Sequence, residues 1–215
     1  MLKLAWSCGH DPYHYGCFSP FLAGEKSKEH FLARQVVEKG RQIIKDRNLD
    51  VEVYTPIHPN PKELSAGGVL NWKIRMINEY KADFAIESHF NSAGSQTAKG
   101  IETIYFSVPF TNKFSSKGKK LAECIHFNTL NSCPYLADRG TKGMASILRN
   151  YGSGENPARF AFLTKTNMPA VILEPLFLSS PKDCENLIIN YDQTIEQLAQ
   201  GVVNGIQQFM EEVLK

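Results

Sequence analysis

Short apolar runs alternate with longer amphipathic ones along this chain from its first residues. Residues 2–7 are almost continuously apolar and stop at Gly9, as a strand buried on both faces does. The span 11–26 is polar and aromatic, with Gly and Pro inside it, and predicts a loop. Over 28–47 the residues Leu32, Val36, Val37, Ile43 and Ile44 fall near one stripe, which predicts a helix. A second strand is expected at 51–54, halted by Pro56. A helix follows at 69–80 with Ile74 and Ile77 inward, then a third strand at 83–87. Further on, 101–106 reads as a strand and 117–130 as a helix. The span 137–159 contains several glycines and no period, so a surface loop with short ordered pieces is expected there. A last buried strand at 170–173, a short helix at 181–189 and a long closing helix at 191–214 complete the pattern.

Strands alternating with helices imply a mainly parallel, twisted sheet flanked by helices, a three-layer α/β fold. At 215 residues one domain spanning 1–215 accommodates the pattern. In sheets of this kind ligands bind beyond the carboxyl ends of the strands, and that rule directs the search for chemistry.

Three predicted strand ends carry suitable groups. The first runs to His10, the third into Glu87-Ser88-His89, and the last ends at Glu174. Two imidazoles and carboxylates gathered at one sheet edge form a donor set that zinc uses for hydrolysis, with three protein ligands and one open position. The third ligand is expected from the segment after His10, where Glu25 and Glu29 stand four apart, on one face if helical. Each of these residues also has an ordinary explanation as a capping or solvated group. Glu174 is harder to explain so, because it directly follows Ala-Val-Ile-Leu, and an ionised carboxylate beside a buried strand is costly unless paired or functional. Glu87, two before His89, points to the same side of its strand. A bond orienting that imidazole and a plain salt bridge are both open to it.

The blocks Cys-Gly-His10-Asp, Glu29-His-Phe-Leu-Ala-Arg-Gln-Val-Val, Glu-Ser-His89-Phe-Asn-Ser and Val-Ile-Leu-Glu174-Pro-Leu-Phe-Leu-Ser together resemble the zinc-dependent N-acetylmuramoyl-L-alanine amidases. The likeness is to the branch with His/Glu/His metal sites found in phage endolysins and bacterial autolysins. It implies a phosphorylase/hydrolase-like version of the fold and a Zn2+ ion held by His10, Glu29 and His89, with Glu174 as catalytic carboxylate. Glu29 is preferred to Glu25 because Leu32, Ala33, Arg34, Val36 and Val37 follow it as the family block requires; Glu25 matches a shorter version and is the alternative ligand. Arg139-Gly-Thr-Lys142 resembles a loop near the substrate, which makes Arg139 a candidate for stem-peptide carboxylates, and Asn91 is a candidate contact beside His89. The chain departs from the family at Asp11-Pro12, where Gly is common, and at Ser179-Ser180, where Asn is common.

Composition narrows the partners. Apolar residues make up 42% and charged residues 21%, ordinary for a globular chain. The formal net charge of +2 is spread without a basic stripe, which argues against nucleic acid. No run reaches the length of a membrane span. The five cysteines (Cys8, Cys17, Cys124, Cys133, Cys184) form no disulfide-framework pattern and suit a reducing compartment. Cys8 reads as a small buried residue, and His14, His30, His58 and His126 as surface or structural. The expected protein is therefore a monomeric enzyme made in the cytoplasm without a signal peptide. It would reach the cell wall by lysin-like release or after loss of a leader, and act on peptidoglycan. The rival readings are a zinc carboxypeptidase or other metallopeptidase of related fold, and a non-catalytic cell-wall binding module.

Overall fold

The computed structural model describes residues 1–108, 111, 113–150 and 160–214. Its elements in chain order are β1 (Leu2–Cys8), α1 (Glu29–Asp46), β2 (Val51–Tyr54), α2 (Ala66–Tyr80), β3 (Phe84–Ser88), β4 (Ile101–Tyr105), α3 (Ser116–Ser132), β5 (Asp138–Gly143), α4 (Met144–Asn150), α5 (Ala161–Lys165), β6 (Ala170–Glu174), α6 (Pro181–Ile189) and α7 (Tyr191–Phe209). The six strands form one sheet in the order β2-β1-β3-β6-β4-β5.

Alternation along the central strands builds three layers. Leu4, Trp6, Phe84, Ile86, Val171 and Leu173 face one side and pack against apolar residues of α1, α3 and α7. Ala5, Ala85, Ala170 and Ile172 face the other and meet residues of α2, α4 and α5. A strand covered on both faces reads as a continuous apolar run, which is why β1, β3 and β6 are visible in the sequence.

Strands β1, β2, β3 and β6 run parallel, but β4 is antiparallel to β6 and β5 is parallel to β4. Glu102, near the start of β4, therefore lies opposite Glu174 at the end of β6. The structure also corrects the expectation of a loop over 137–159. Residues 138–143 form edge strand β5, and α4 follows; 151–159 lie outside the described residues. Strand β5 shows no hydrophobic period because its sequence, Asp-Arg-Gly-Thr-Lys-Gly, is polar and none of it is fully buried. Pairing with β4 and side-chain bonds from Asp138, Arg139 and Lys142 hold it instead.

Candidate metal centre

Three loops deliver the donors to one point at the carboxyl ends of β1 and β3. After β1 the chain turns through Gly9, whose N–H donates to the Ser88 carbonyl at 2.7 Å, and His10 takes a left-handed backbone with φ 59°. His89 follows β3 directly, its N–H bonded to the Leu173 carbonyl of β6. Glu29 opens α1, where the positive end of the helix dipole favours a carboxylate. The span 11–28 folds back over it, and Cys17 N–H donates to Glu29 Oε2 at 2.9 Å while Phe90 N–H donates to Oε1 at 3.2 Å.

Glu29, only 4% exposed, joins the two imidazoles. Its Oε2 lies 3.2 Å from His10 Nε2 and its Oε1 2.8 Å from His89 Nδ1. One ligand atom from each residue falls within 4.8 Å of the others. Burial alone would push the Glu29 carboxyl up, but the bonds to His10 and His89 hold it well below the usual carboxylate range. Burial would likewise lower His89, and the bonds to Glu29 and Glu87 carry it well above its ordinary value. Glu87 Oε2 is 3.2 Å from His89 Nε2, and Ser7 Oγ donates to its other oxygen. Glu87 thus touches the ring nitrogen that Glu29 leaves free.

Glu174 completes the group. Its Oε2 is buried with no hydrogen-bond partner among the described residues. Burial pushes its carboxyl up to about 8; His89 opposes the shift, and Glu29, Glu102 and Glu87 reinforce it. Several carboxyls around two imidazoles make a site that favours a divalent cation, and two nitrogens with one carboxylate oxygen suit a three-ligand site open to water. The cradle is also shaped for the donors. A Cβ at Gly16 would sit 2.2 Å from Glu29 Oε2 and 2.5 Å from His10 Cδ2, on a backbone with φ +78°. Gly16→Ala is therefore expected to lose roughly 1–2 kcal/mol from the left-handed backbone alone. Any metal held by His10, Glu29 and His89 should also be lost, as read by melting temperature and metal content; uptake matching the parent would show that the loop yields.

The other expected residues fall in different places. Glu25 sits on a short turn (Gly24–Ser27), exposed and paired with Lys28 Nζ at 2.6 Å, outside the donor cluster. Asn91 turns toward β4 and donates to Glu102 Oε1 at 2.8 Å. Arg139 Nε donates to Glu102 Oε2 at 2.7 Å, Lys142 bonds the same oxygen, and the Arg139 guanidinium lies 4.8 Å from the Phe177 ring centre. Burial would raise the Glu102 carboxyl, but Lys142 and Arg139 bring it below its ordinary value. Cys8 is buried, which pushes its thiol up to about 12. The remaining histidines have partners that the sequence did not suggest: Asp11 for His14, the Gly9 carbonyl for His30, Trp72 for His58, Asp138 for His126.

Two charged residues near the centre escaped the sequence reading. Glu102 sits within Ile-Glu-Thr-Ile-Tyr and reads as the solvent side of an alternating strand. Lys73 left a signal, because it falls between Val69 and Ile77 at steps of four on the buried stripe of α2. It lines a cavity of about 200 Å3 together with Leu70, Phe162, His10, Glu87 and His89.

An α/β sheet with this donor cluster at its carboxyl edge, beside a carboxyl whose Oε2 has no partner among the described residues, is an arrangement suited to a hydrolase. A sequence profile of the N-acetylmuramoyl-L-alanine amidases matches residues 7–208, and the chain belongs to that family. It is 25% identical to the endolysin of Bacillus phage SPP1 over 215 residues, covering 98% of this chain and 67% of that protein. Among solved structures it resembles an N-acetylmuramoyl-L-alanine amidase from Clostridium difficile 630 (TM-score 0.76, 25% identity, 99% of this chain and 98% of that one). It also resembles the catalytic domain of the amidase CwlV from Bacillus (Paenibacillus) polymyxa var. colistinus (TM-score 0.73, 24% identity, 98% and 99% covered). The chain is thus a peptidoglycan amidase that acts on the cell wall. Among the described residues no helix is long and apolar enough to cross a membrane.

Proposed function

We propose that this chain cleaves the bond between the lactyl group of N-acetylmuramic acid and L-alanine with a Zn2+ ion held by His10, Glu29 and His89, and that Glu174 moves the protons. One observation carries the reading: donors from three distant segments converge within 4.8 Å, beside a carboxyl whose Oε2 is buried without a partner among the described residues. Zinc bound there would polarise the amide carbonyl and acidify the attacking water. Glu87 orients His89 by accepting from the ring nitrogen turned away from Glu29. With the cation in place its positive charge would draw the Glu174 carboxyl down to the ionised form, so that Glu174 would take a proton from the attacking water and deliver it to the nitrogen, which would otherwise have to leave as an amide anion. Among the described residues the buried Oε2 has no bond to break before it accepts that proton. All four residues belong to one chain, so a monomer forming a single catalytic unit suffices.

Arg139 and Lys142 bring two positive charges to the single carboxylate of Glu102 and remain 33% and 28% exposed. The surplus charge, next to Glu174 through the β4–β6 pairing, suits a carboxylate of the stem peptide, with Asn91 holding Glu102 from the other side. Arg139→Gln should raise KM for stem-peptide substrates by about 10–100-fold, the scale of one charge-assisted hydrogen bond, and change kcat less. An unchanged KM would remove Arg139 from substrate binding.

The reading is tested by digesting purified peptidoglycan and analysing the products by mass spectrometry, with and without a chelator. Free stem peptides beginning with L-alanine, lost on chelation and restored by zinc, are expected. Release of the terminal residues of the stem instead would point to a carboxypeptidase. Wall binding without any release would point to a binding module.

A further inference from the structure

We infer that Lys73 is a positioning residue that locks the His10 imidazole in place for the metal; the inference rests on the zinc reading of the site. Lys73 is only 4% exposed, and among the described residues no carboxylate lies within ion-pair distance of its ammonium. A buried cation without a carboxylate partner weakens a fold compared with an apolar side chain of similar size. Its place on the apolar stripe of α2 would otherwise be filled by such a side chain. The charge is kept for what it touches.

Its Nζ donates to the Cys8 carbonyl at 2.7 Å and also to the His10 carbonyl. From α1, His30 Nδ1 lies 2.9 Å from the Gly9 carbonyl. Three successive carbonyls, those of residues 8, 9 and 10, are thereby held by the buried Lys73 of α2 and the half-buried His30 of α1. Fixing the peptide planes on both sides of His10 fixes the direction of its Cα–Cβ bond, at a residue whose φ of 59° is otherwise disfavoured. The clamp spans the turn between β1 and the donor atom, while the bond from Gly9 to Ser88 ties the same turn to β3 and His89. Lys73 lines the cavity against the donors, but at least two of its bonds are committed to the backbone. It therefore acts through His10 and not on the substrate.

The test is zinc affinity of the purified, metal-free full chain, measured by competition with a chelator, alongside thermal melting without metal. Lys73→Met should weaken zinc binding by about 10–100-fold, the usual effect of losing a group that orients a ligand. Lys73→Arg, which restores charged donors, should recover most of that loss. The decisive comparison is a double-mutant cycle with His10→Ala. If Lys73 works through the imidazole, Lys73→Met should change zinc affinity by less than about threefold in the His10→Ala background. An equal loss in both backgrounds, or zinc affinity of Lys73→Met within about threefold of the parent, overturns the inference. If Lys73→Met does not fold, Lys73→Gln takes its place in the cycle, and failure of both assigns the residue to stability and equally overturns it. A parent chain that binds no zinc overturns the metal reading as well; a parent that binds zinc beside an unaffected Lys73→Met overturns only this step.

Discussion

Glu174→Gln is expected to lower amide hydrolysis by roughly two to four orders of magnitude while leaving metal content at the parent level, the usual scale for a lost general acid–base. The amide matches the carboxyl in size and cannot take a proton from water at neutral pH. Because Oε2 has no partner among the described residues, no hydrogen bond at that atom is broken by the change. The fold offers a second readout. Burial raises the Glu174 carboxyl from an ordinary 4.5 to about 8, so the folded state holds its proton more tightly than the unfolded one. For a group shifted in this direction, the stability it contributes is complete below the unfolded value and is lost as pH rises through the folded one. Metal-free parent protein should therefore melt progressively lower between about pH 4.5 and 8 relative to Glu174→Gln, which lacks the titrating group. Full hydrolysis by the variant would exclude Glu174 as the proton carrier. Parallel melting curves across that window would contradict the shifted carboxyl but leave the catalytic role standing.

What could be read from the chain follows where burial was symmetric. Strands β1, β3 and β6 have both faces covered, so their apolar runs are continuous, and the rule about carboxyl ends led directly to His10, His89 and Glu174. Strand β5 was lost because edge strands need no apolar face and this one is held by charge. The direction of β4 was lost for a different reason. Alternation of strands and helices signals parallel pairing, and no local pattern announces a strand that runs the other way. That reversal carries Glu102, an unremarked residue in a strand, to the position opposite Glu174 and draws Arg139, Lys142 and Asn91 around it. Lys73 was hidden by an opposite effect, since a lysine on an apolar stripe reads as an interruption until its carbonyl partners are seen.

The third donor gives the sharpest separation of outcomes, because the two glutamates that competed for the role stand four residues apart in quite different settings. On the proposed reading Glu29→Ala removes a metal ligand; it also leaves the Cys17 and Phe90 N–H groups without their acceptor and takes away the anion shared by both imidazoles. Metal affinity should fall by more than the about 10–100-fold typical of groups one step removed from a metal, and hydrolysis should fall with it. Glu29→Gln, which keeps the size and an acceptor, should restore stability without restoring metal, separating the two effects. Glu25→Ala removes one exposed pair with Lys28, a contact worth about 0–1 kcal/mol, and should leave metal content and hydrolysis as they were. The comparison needs only metal analysis after dialysis and a wall-lysis assay on the three variants. Metal retained in Glu29→Ala and lost in Glu25→Ala would require the loop over 11–28 to be threaded differently, with the turn at Gly24–Ser27 swung in toward His89. The bonds from Cys17 and Phe90 to Glu29 oppose that arrangement, since they pin the start of α1 against the end of β3.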